Sequence, residues 1–317
     1  MVLTSAVLET SADFPSSLGS FAALPSNIAA IEAALRFAHG TLPFVAITGP
    51  CGWGKTHLLS TVETVLSKSD AKPLSLTALQ WSRSARPSSS SSPLIIDEAQ
   101  ELLSHPRSRH VWRQCLDVRK RTGRPTLVAW TSEGADHRTR SLLGLGPGWE
   151  LAELQCPGLD EKELLVMRIA AELGVELSDL VVKVVARHVY GNGRSVRGAL
   201  QRLKLVKKDW TSDLDVIPAC GVLSPYLLGH DGWDPRDHVH DAVLSCTAGD
   251  SISLPLSCHL MLVEMGLPER EVAEFVKLPP GKAYQYSRSI TDLKGDKRVG
   301  NLLDSCKIAI LSGFQEA

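Results

Sequence analysis

The feature that most constrains the fold of this chain is a glycine-rich loop at residues 49–56. Before the loop, the apolar run Phe44 to Thr48 predicts a buried strand; after it, residues 57–66 repeat apolar side chains at helical spacing. The loop reads GPCGWGKT and fits the pattern G-x-x-x-x-G-K-[ST] at every position. A strand, a phosphate-binding loop and a helix in this order predict a site for a nucleoside triphosphate.

The loop places backbone N–H groups and one lysine where a polyphosphate can bind. Its glycines let the backbone bend close to the phosphates, whose charge then lies at the N-terminus of a helix. The Lys55 ammonium is expected to reach the β and γ oxygens, and the Thr56 hydroxyl is expected to hold Mg²⁺. The predicted cofactors are therefore ATP or ADP with Mg²⁺. The residues of this segment assigned to the nucleotide site are Gly49, Gly52, Gly54, Lys55, Thr56 and His57.

Two acidic residues follow the apolar run 93–96, roughly forty residues after the loop. An acid at the end of a strand can hold Mg²⁺ through water, and the next acid can polarise the attacking water. We assign Asp97 to the first role and Glu98 to the second, which makes them candidate catalytic residues alongside Lys55. A further apolar run, 126–132, ends in hydroxyls, and Thr131 is assigned to the γ-phosphate or its water.

Composition and charge are those of an ordinary intracellular globular chain. The 317 residues carry a formal net charge of −1, so contact with nucleic acid has to come from a local patch. Seven scattered cysteines without a C-x-x-C pair are typical of reduced thiols that pack as small hydrophobes. The chain has no stretch as long as a membrane span and no basic leader, so we expect a cytoplasmic protein without a membrane partner.

Two segments of biased composition are interpreted as surface structure. The run Ser88 to Ser92 is typical of a flexible loop. The helical segment 105–124 carries seven lysines and arginines, and a run of charge is usually a solvated helix face.

Residues 192–203, NGRSVRGALQRL, resemble the second sensor of the bacterial chromosomal replication initiator DnaA, whose pattern is N-V-R-E-L-E-G-A-L-N-R-L. Three further segments agree in order: PSN at 25–27, GKTHLL at 54–59 and LIIDEAQ at 94–100. The resemblance covers about residues 14–208. It implies an α/β fold, an AAA+ P-loop module with a five-stranded parallel sheet followed by a helical lid. It also implies that Arg194 reaches from the lid to the phosphates, and it makes Arg140 a candidate catalytic arginine finger.

The lid and the C-terminal part are both predicted to be helical. Helical patterns lie near 160–173, 178–190 and 194–208, the first two beginning at the caps Asp160 and Ser178. In the C-terminal part, a helix at 258–265 ends at Gly266, and helices at 267–276 and 282–290 flank a turn at 278–281. Two interpretations stay open: a helix-turn-helix, or a small helical bundle without a DNA partner. On the first interpretation the candidate DNA-binding residues are Lys282, Tyr284 and Arg288.

The predicted domain organisation follows from these patterns. The AAA+ core is expected at 14–150, the helical lid at 151–212, a connector at 213–230 and the small all-α, helix-turn-helix-like domain at 231–317.

The sequence departs from the DnaA pattern in four places. The interval Gln80 to Pro93 is too short for the helices that the family uses to bind single-stranded DNA. The loop 249–254 lacks the cations of the family's basic loop, and PPGKA at 279–283 stands in place of its D-H-T-T signature. RTRSL at 138–142 replaces R-x-x-S-R-F, so Arg140 alone remains as the finger candidate.

The resemblance therefore favours the first of three functions and leaves the other two as alternatives. The first is a DnaA-like, ATP-switched protein that acts in replication initiation or its control in bacteria or mobile elements. It would be nucleoid-associated and a slow ATPase, able to form an ATP-dependent homo-oligomer, with double-stranded DNA and the initiator or helicase machinery as partners. The second is a protein-binding regulator that stimulates ATP hydrolysis by the initiator. The third is an ATPase that loads a helicase or a transposase.

Overall fold

The computed structural model describes residues 21–69, 71–83, 91–132, 137–227, 233–293 and 295–316. Most of the serine run at 88–92 lies outside these residues. The chain divides into two compact units, Met1–Glu161 and Lys162–Ala317. No described helix is long and apolar enough to cross a membrane.

The first unit alternates strands and helices along the chain. Its strands are β1 Phe44–Gly49, β2 Leu74–Thr77, β3 Leu94–Asp97, β4 Thr126–Thr131 and β5 Glu150–Glu153. Its helices are α1 Ile28–Ala38, α2 Lys55–Lys68, α3 Ala78–Arg83, α4 Pro106–Arg121 and α5 His137–Leu143, with a 3₁₀ turn at Ala99–Leu103. Helix α6, Leu159–Leu173, begins in this unit.

The five strands form one parallel sheet in the order β2-β3-β4-β1-β5. Strands β1, β3 and β4 are buried almost throughout, which is typical of parallel strands covered on both faces. One face packs against α1 and α2 through Phe37 and Leu58, and the other carries Trp112 and Trp130. The predicted five-stranded parallel sheet of an AAA+ P-loop fold is confirmed.

One prediction about a helix start is wrong in this unit. Helix α6 begins at Leu159, so Asp160 lies inside its first turn and does not cap it. There its carboxylate still favours the helix, because the N-terminal end of the helix dipole is positive. Glu161 in the same turn accepts hydrogen bonds from the N–H groups of Ser26 and Gly158.

The second unit is almost wholly helical. Its helices are α7 Asp179–His188, α8 Gly193–Val206, α9 Val216–Leu227, α10 Pro235–Thr247, α11 Ser253–His259, α12 Glu269–Phe275, α13 Lys282–Asp292 and α14 Lys297–Glu316. Two short strands, β6 Glu176–Leu177 and β7 Asp209–Trp210, pair in parallel, and a π-helical turn, Leu260–Glu264, continues α11. Ser178 caps α7 as predicted, accepting a hydrogen bond from the Val181 N–H.

One apolar core continues from the lid helices to the C-terminal helices. It contains Val185 on α7, Leu200 on α8, Cys220 on α9, Leu256 on α11 and Ile310 on α14. The segment predicted as a connector therefore carries a helix, α9, that packs into the same core as its neighbours.

Candidate nucleotide site

The phosphate loop joins β1 to α2 and requires glycine at both of its ends. A Cβ at Gly49 would collide with the backbone carbonyl oxygen of Leu154, so only glycine fits this close approach. Gly54 adopts φ +102°, a left-handed conformation, and the Phe21 ring lies against it. The turn therefore directs the N–H groups at the start of α2 towards one point, which suits an anion.

Lys55 is the first residue of α2, and its side chain turns back towards the loop. Its ammonium donates hydrogen bonds to the carbonyl oxygens of Gly49 at 2.8 Å and Pro50 at 2.7 Å, and the residue is only 7% exposed. A phosphate oxygen carries negative charge, so it would add Coulombic attraction for the ammonium to the hydrogen bond that a neutral carbonyl oxygen already accepts. The loop thus holds a buried cation next to the place where phosphate would bind.

The two residues assigned to Mg²⁺ lie side by side. The Thr56 hydroxyl donates to Asp97 Oδ2 at 2.6 Å, across 41 positions of the chain. In the predicted roles the Thr56 hydroxyl would bind the ion directly and Asp97 would hold it through water. A hydroxyl and a carboxylate this close together are oxygen donors of the kind Mg²⁺ takes, so they fit Mg²⁺ bound with a nucleotide.

Glu98 follows β3 in a strained backbone conformation. Its φ of 53° and ψ of 40° place it in the left-handed region, and its N–H donates to Asp97 Oδ1 at 2.8 Å. The side chain is exposed, beside the end of the strand that carries Asp97. Residues held in this conformation are uncommon and cluster at functional sites, which agrees with the predicted role of Glu98.

Strand β4 brings hydroxyls to the same edge of the sheet. Thr131 pairs in register with Gly49, and its N–H donates to Gln100 Oε1 at 3.1 Å. Ser132, which is buried, shares a hydrogen bond of 2.6 Å with the Thr48 hydroxyl. The hydroxyl assigned to the γ-phosphate, Thr131, is thus next to a serine that ties β4 to β1.

Sequence reasoning did not assign a role to Phe21 or Gln100. Phe21 packs over His57, with ring centroids 5.2 Å apart, and covers Gly54 at the loop. Gln100 connects the segment after Glu98 to β4 through Thr131. Gln100 belongs to the segment LIIDEAQ that carries the resemblance, and its place in that segment is the sequence signal that could have identified it as a site residue.

The two candidate arginines occupy different units. Arg140, on α5 of the first unit, donates from Nε to the Leu145 carbonyl oxygen at 3.0 Å, which orients its guanidinium. Arg194 is exposed in the first turn of α8 in the second unit, where the Asn192 side chain accepts a hydrogen bond from its N–H. The cap at Asn192 fixes the start of the helix that carries Arg194.

The candidate DNA-binding residues lie on one helix of the second unit. Helix α13 buries Ala283, Ser287 and Ile290. Its exposed side carries Lys282, Tyr284 and Arg288, and Tyr284 is 60% exposed. Tyr286 is half-buried under the Lys282 ammonium, which lies 5.2 Å from its ring.

The basic segment of the first unit contains one residue that does not fit the predicted solvated face. Arg119 is fully buried; its guanidinium donates to Thr126 Oγ1 at 2.8 Å and to the carbonyl oxygens of Ser92 and Pro125, both at 2.7 Å. Burial lowers the pKa of Arg119. The prediction is therefore wrong for Arg119, whose planar fork of donors joins the segments that lead into β3 and β4.

Comparison with solved structures places this arrangement in a known fold. The chain is similar to domain III of the Thermotoga maritima replication initiation protein DnaA, with 20% identity and a TM-score of 0.56 over 68% of this chain and 99% of that chain. A replication initiator DnaA bound to AMPPCP and single-stranded DNA matches at 16% identity and a TM-score of 0.53, covering 92% of this chain and 97% of that chain. A variant of Thermotoga maritima RuvB matches at 17% identity and a TM-score of 0.51, with 83% and 88% covered.

No protein-family model matches the sequence, and no curated protein sequence matches it. The structural similarity shows the fold, and it confirms the resemblance to DnaA at the level of that fold.

Proposed function

We propose that this chain is a DnaA-like AAA+ protein that binds ATP with Mg²⁺, hydrolyses it slowly and uses the nucleotide state to control contacts in DNA replication initiation. The observation that carries the proposal is the Thr56–Asp97 hydrogen bond of 2.6 Å beside the buried Lys55 ammonium. It brings the hydroxyl of the phosphate loop and the acid of β3 to one point, where a Mg²⁺-bound triphosphate needs both.

In this proposal each residue of the site has a separate task. Bound Mg²⁺ would neutralise charge on the β and γ phosphates, held by Thr56 and by Asp97. Lys55 contributes a second positive charge, and Glu98 orients and polarises the attacking water. Arg140 is the candidate finger acting on a neighbouring copy, which would make turnover dependent on assembly.

The nucleotide site is tested by the Lys55→Ala variant. Its ATP affinity, measured by calorimetry with Mg²⁺, should fall below detection, because the cation that compensates the phosphate charge is lost. Lys68→Ala is the matched control, since it removes an exposed lysine from the last turn of the same helix, α2. Equal ATP affinity for wild type and Lys55→Ala would end the assignment.

We further propose that α12 and α13 form a helix-turn-helix that contacts double-stranded DNA. The turn between them is held by the Glu269 carboxylate, which accepts a hydrogen bond from the Gly281 N–H at 2.7 Å. Helix α13 packs one face into the core and leaves Lys282, Tyr284 and Arg288 exposed on the other. An 11-residue helix is about 16 Å long, which suits the major groove.

The DNA interface is tested with the double variant Lys282→Ala/Arg288→Ala. Binding to duplex DNA should weaken at every sequence. The slope of the logarithm of the binding constant against the logarithm of the salt concentration should fall in magnitude by about two, one for each lost phosphate contact. Arg202→Ala/Lys204→Ala removes the same charge from exposed positions of the lid helix α8 and should leave the slope unchanged. An unchanged slope in the Lys282/Arg288 variant would remove α13 from the interface.

A second candidate function is a regulator that binds the replication initiator and not DNA. The loop between α10 and α11 favours the regulator. This loop presents the exposed Asp250 at a place where a loop that binds DNA phosphates would need a cation. The Asp250 carboxylate accepts hydrogen bonds from the N–H and hydroxyl of Ser251. A full-length protein that binds ATP, ignores duplex DNA at low salt and captures a replication initiator would support the regulator.

A further inference from the structure

Two cysteines face each other between the first and last helices of the C-terminal part. Helices α10 and α14 pack antiparallel: His238 Nε2, in the first turn of α10, lies 3.3 Å from the Ile310 carbonyl oxygen, and its ring is 4.6 Å from that of Phe314. Cys246 lies eight residues, about two turns, after His238 on α10, and Cys306 lies eight residues, about two turns, before Phe314 on α14. The helix register therefore places the two thiols opposite each other.

The two thiols are neighbours and differ in exposure. Cys306 belongs to the apolar core of this unit, and Cys246 packs against the same core, close enough to interact with Cys306. Cys306 is fully buried, whereas Cys246 is half-buried and can be reached from solvent. Burial, with the neighbouring Cys246, raises the pKa of Cys306 to about 12. An oxidant in solution therefore meets Cys246 first, with Cys306 behind it as the resolving thiol.

We propose that Cys246 and Cys306 are a redox-sensitive pair that forms a reversible disulfide with a small-molecule disulfide, such as glutathione disulfide, as the oxidant. In a reducing cell compartment, protein disulfides are usually transient, and many of them serve in redox sensing. The contact between one accessible and one resolving thiol is the arrangement that such sensors use.

The reaction balances with glutathione disulfide as the only co-reactant. The Cys246 thiolate attacks one sulfur of the oxidant, forms a mixed disulfide and expels one glutathione thiolate. Cys306 then loses its proton to water, attacks the Cys246 sulfur and expels the second glutathione thiolate. Two cysteine thiols have lost two electrons and two protons, and glutathione disulfide has been reduced to two glutathione molecules.

The bond would act on the region that lies between the two cysteines. The closed loop contains α11, α12 and α13, and a disulfide across a long loop restricts the unfolded ensemble more than one across a short loop. Oxidation should therefore raise the stability of the C-terminal helices and suppress their local opening. Reduction should restore the local opening.

The test treats the full chain with glutathione disulfide, blocks the remaining thiols and maps the peptides by mass spectrometry. We expect a Cys246–Cys306 crosslinked peptide that dithiothreitol removes. Cys246→Ser and Cys306→Ser should each abolish it. Cys258→Ser, which removes a fully buried thiol of α11, is the matched control and should leave the crosslink in place.

A second measurement keeps the proposal testable if the buried Cys306 variant does not fold. The Tm of the oxidised wild type should exceed that of the reduced protein by about 5 °C or more, and Cys246→Ser should show no such shift. Glutathione found on the exposed Cys51 and Cys156, without a Cys246–Cys306 crosslink, would show that the oxidant acted and would overturn the proposal.

Discussion

Replacing Glu98 with glycine separates the strain at the nucleotide site from its chemistry. Glu98 has φ 53° and ψ 40°, and the left-handed conformation costs an L-residue about 1–2 kcal/mol. Glycine removes that cost but adds about 0.5–1 kcal/mol of backbone freedom to the unfolded chain. Since the Glu98 side chain is exposed and loses little packing, Glu98→Gly should stabilise the protein by about 0.5–1 kcal/mol.

The assay combines urea unfolding of the full chain with ATP affinity and turnover. Glu98→Gly should keep its affinity for ATP and lose turnover, because the group that polarises the water is gone. Glu98→Gln is the matched control: it keeps a similar side chain and the same strain, so it should lose turnover without gaining stability. A Glu98→Gly protein less stable than wild type would refute the strain argument, and wild-type turnover would refute the catalytic role.

Two further predictions concern arginines of opposite environment. Arg194→Ala should weaken the binding of ATP more than the binding of ADP, with both affinities measured by calorimetry. The difference should be roughly 1–3 kcal/mol, the value of a charged hydrogen bond. Equal losses of affinity for the two nucleotides would give Arg194 a purely structural role in the lid. Arg119→Met should lower the free energy of unfolding by about 2–4 kcal/mol, because it leaves one buried and two part-buried acceptors without their donor. Arg107 is exposed on the same helix, and Arg107→Ala should change the free energy of unfolding by less than about 0.5 kcal/mol. A similarly small effect of Arg119→Met would contradict a stabilising role for the hydrogen bonds of Arg119.

The parts of the fold that the sequence predicted are those with strong local patterns. The loop at 49–56 fixes β1 and α2 on either side of it, and the apolar run before Asp97 fixes β3. The pattern of each strand allowed a single structural prediction, because a buried parallel strand has to be apolar throughout. The proximity of Thr56 to Asp97 is consistent with these patterns, since Asp97 ends β3 and Thr56 lies in the first turn of α2, beyond the carboxyl end of β1.

The parts that escaped prediction depend on which face of a helix meets the core. Arg119 lies in a run of seven cations and was grouped with the solvated ones. It stands seven residues after Trp112 and three after Leu116, and both of these are buried, so helical spacing puts it on their face. That spacing was a usable signal. The contacts of Phe21 with Gly54 and His57 had no comparable signal, because they join segments that are distant along the chain.

The sheet separates stability from chemistry by its direction. Gly49, Asp97 and Thr131 end β1, β3 and β4, which are neighbours in the sheet, so the candidate nucleotide groups collect at the carboxyl edge. Arg119 binds at the opposite, amino edge, where Pro125 and Thr126 lead into β4. Substitutions at the two edges should therefore have separable effects. Arg119→Met should lower stability but leave the ATP affinity of the folded molecules unchanged, whereas substitutions at the carboxyl edge should change nucleotide chemistry first.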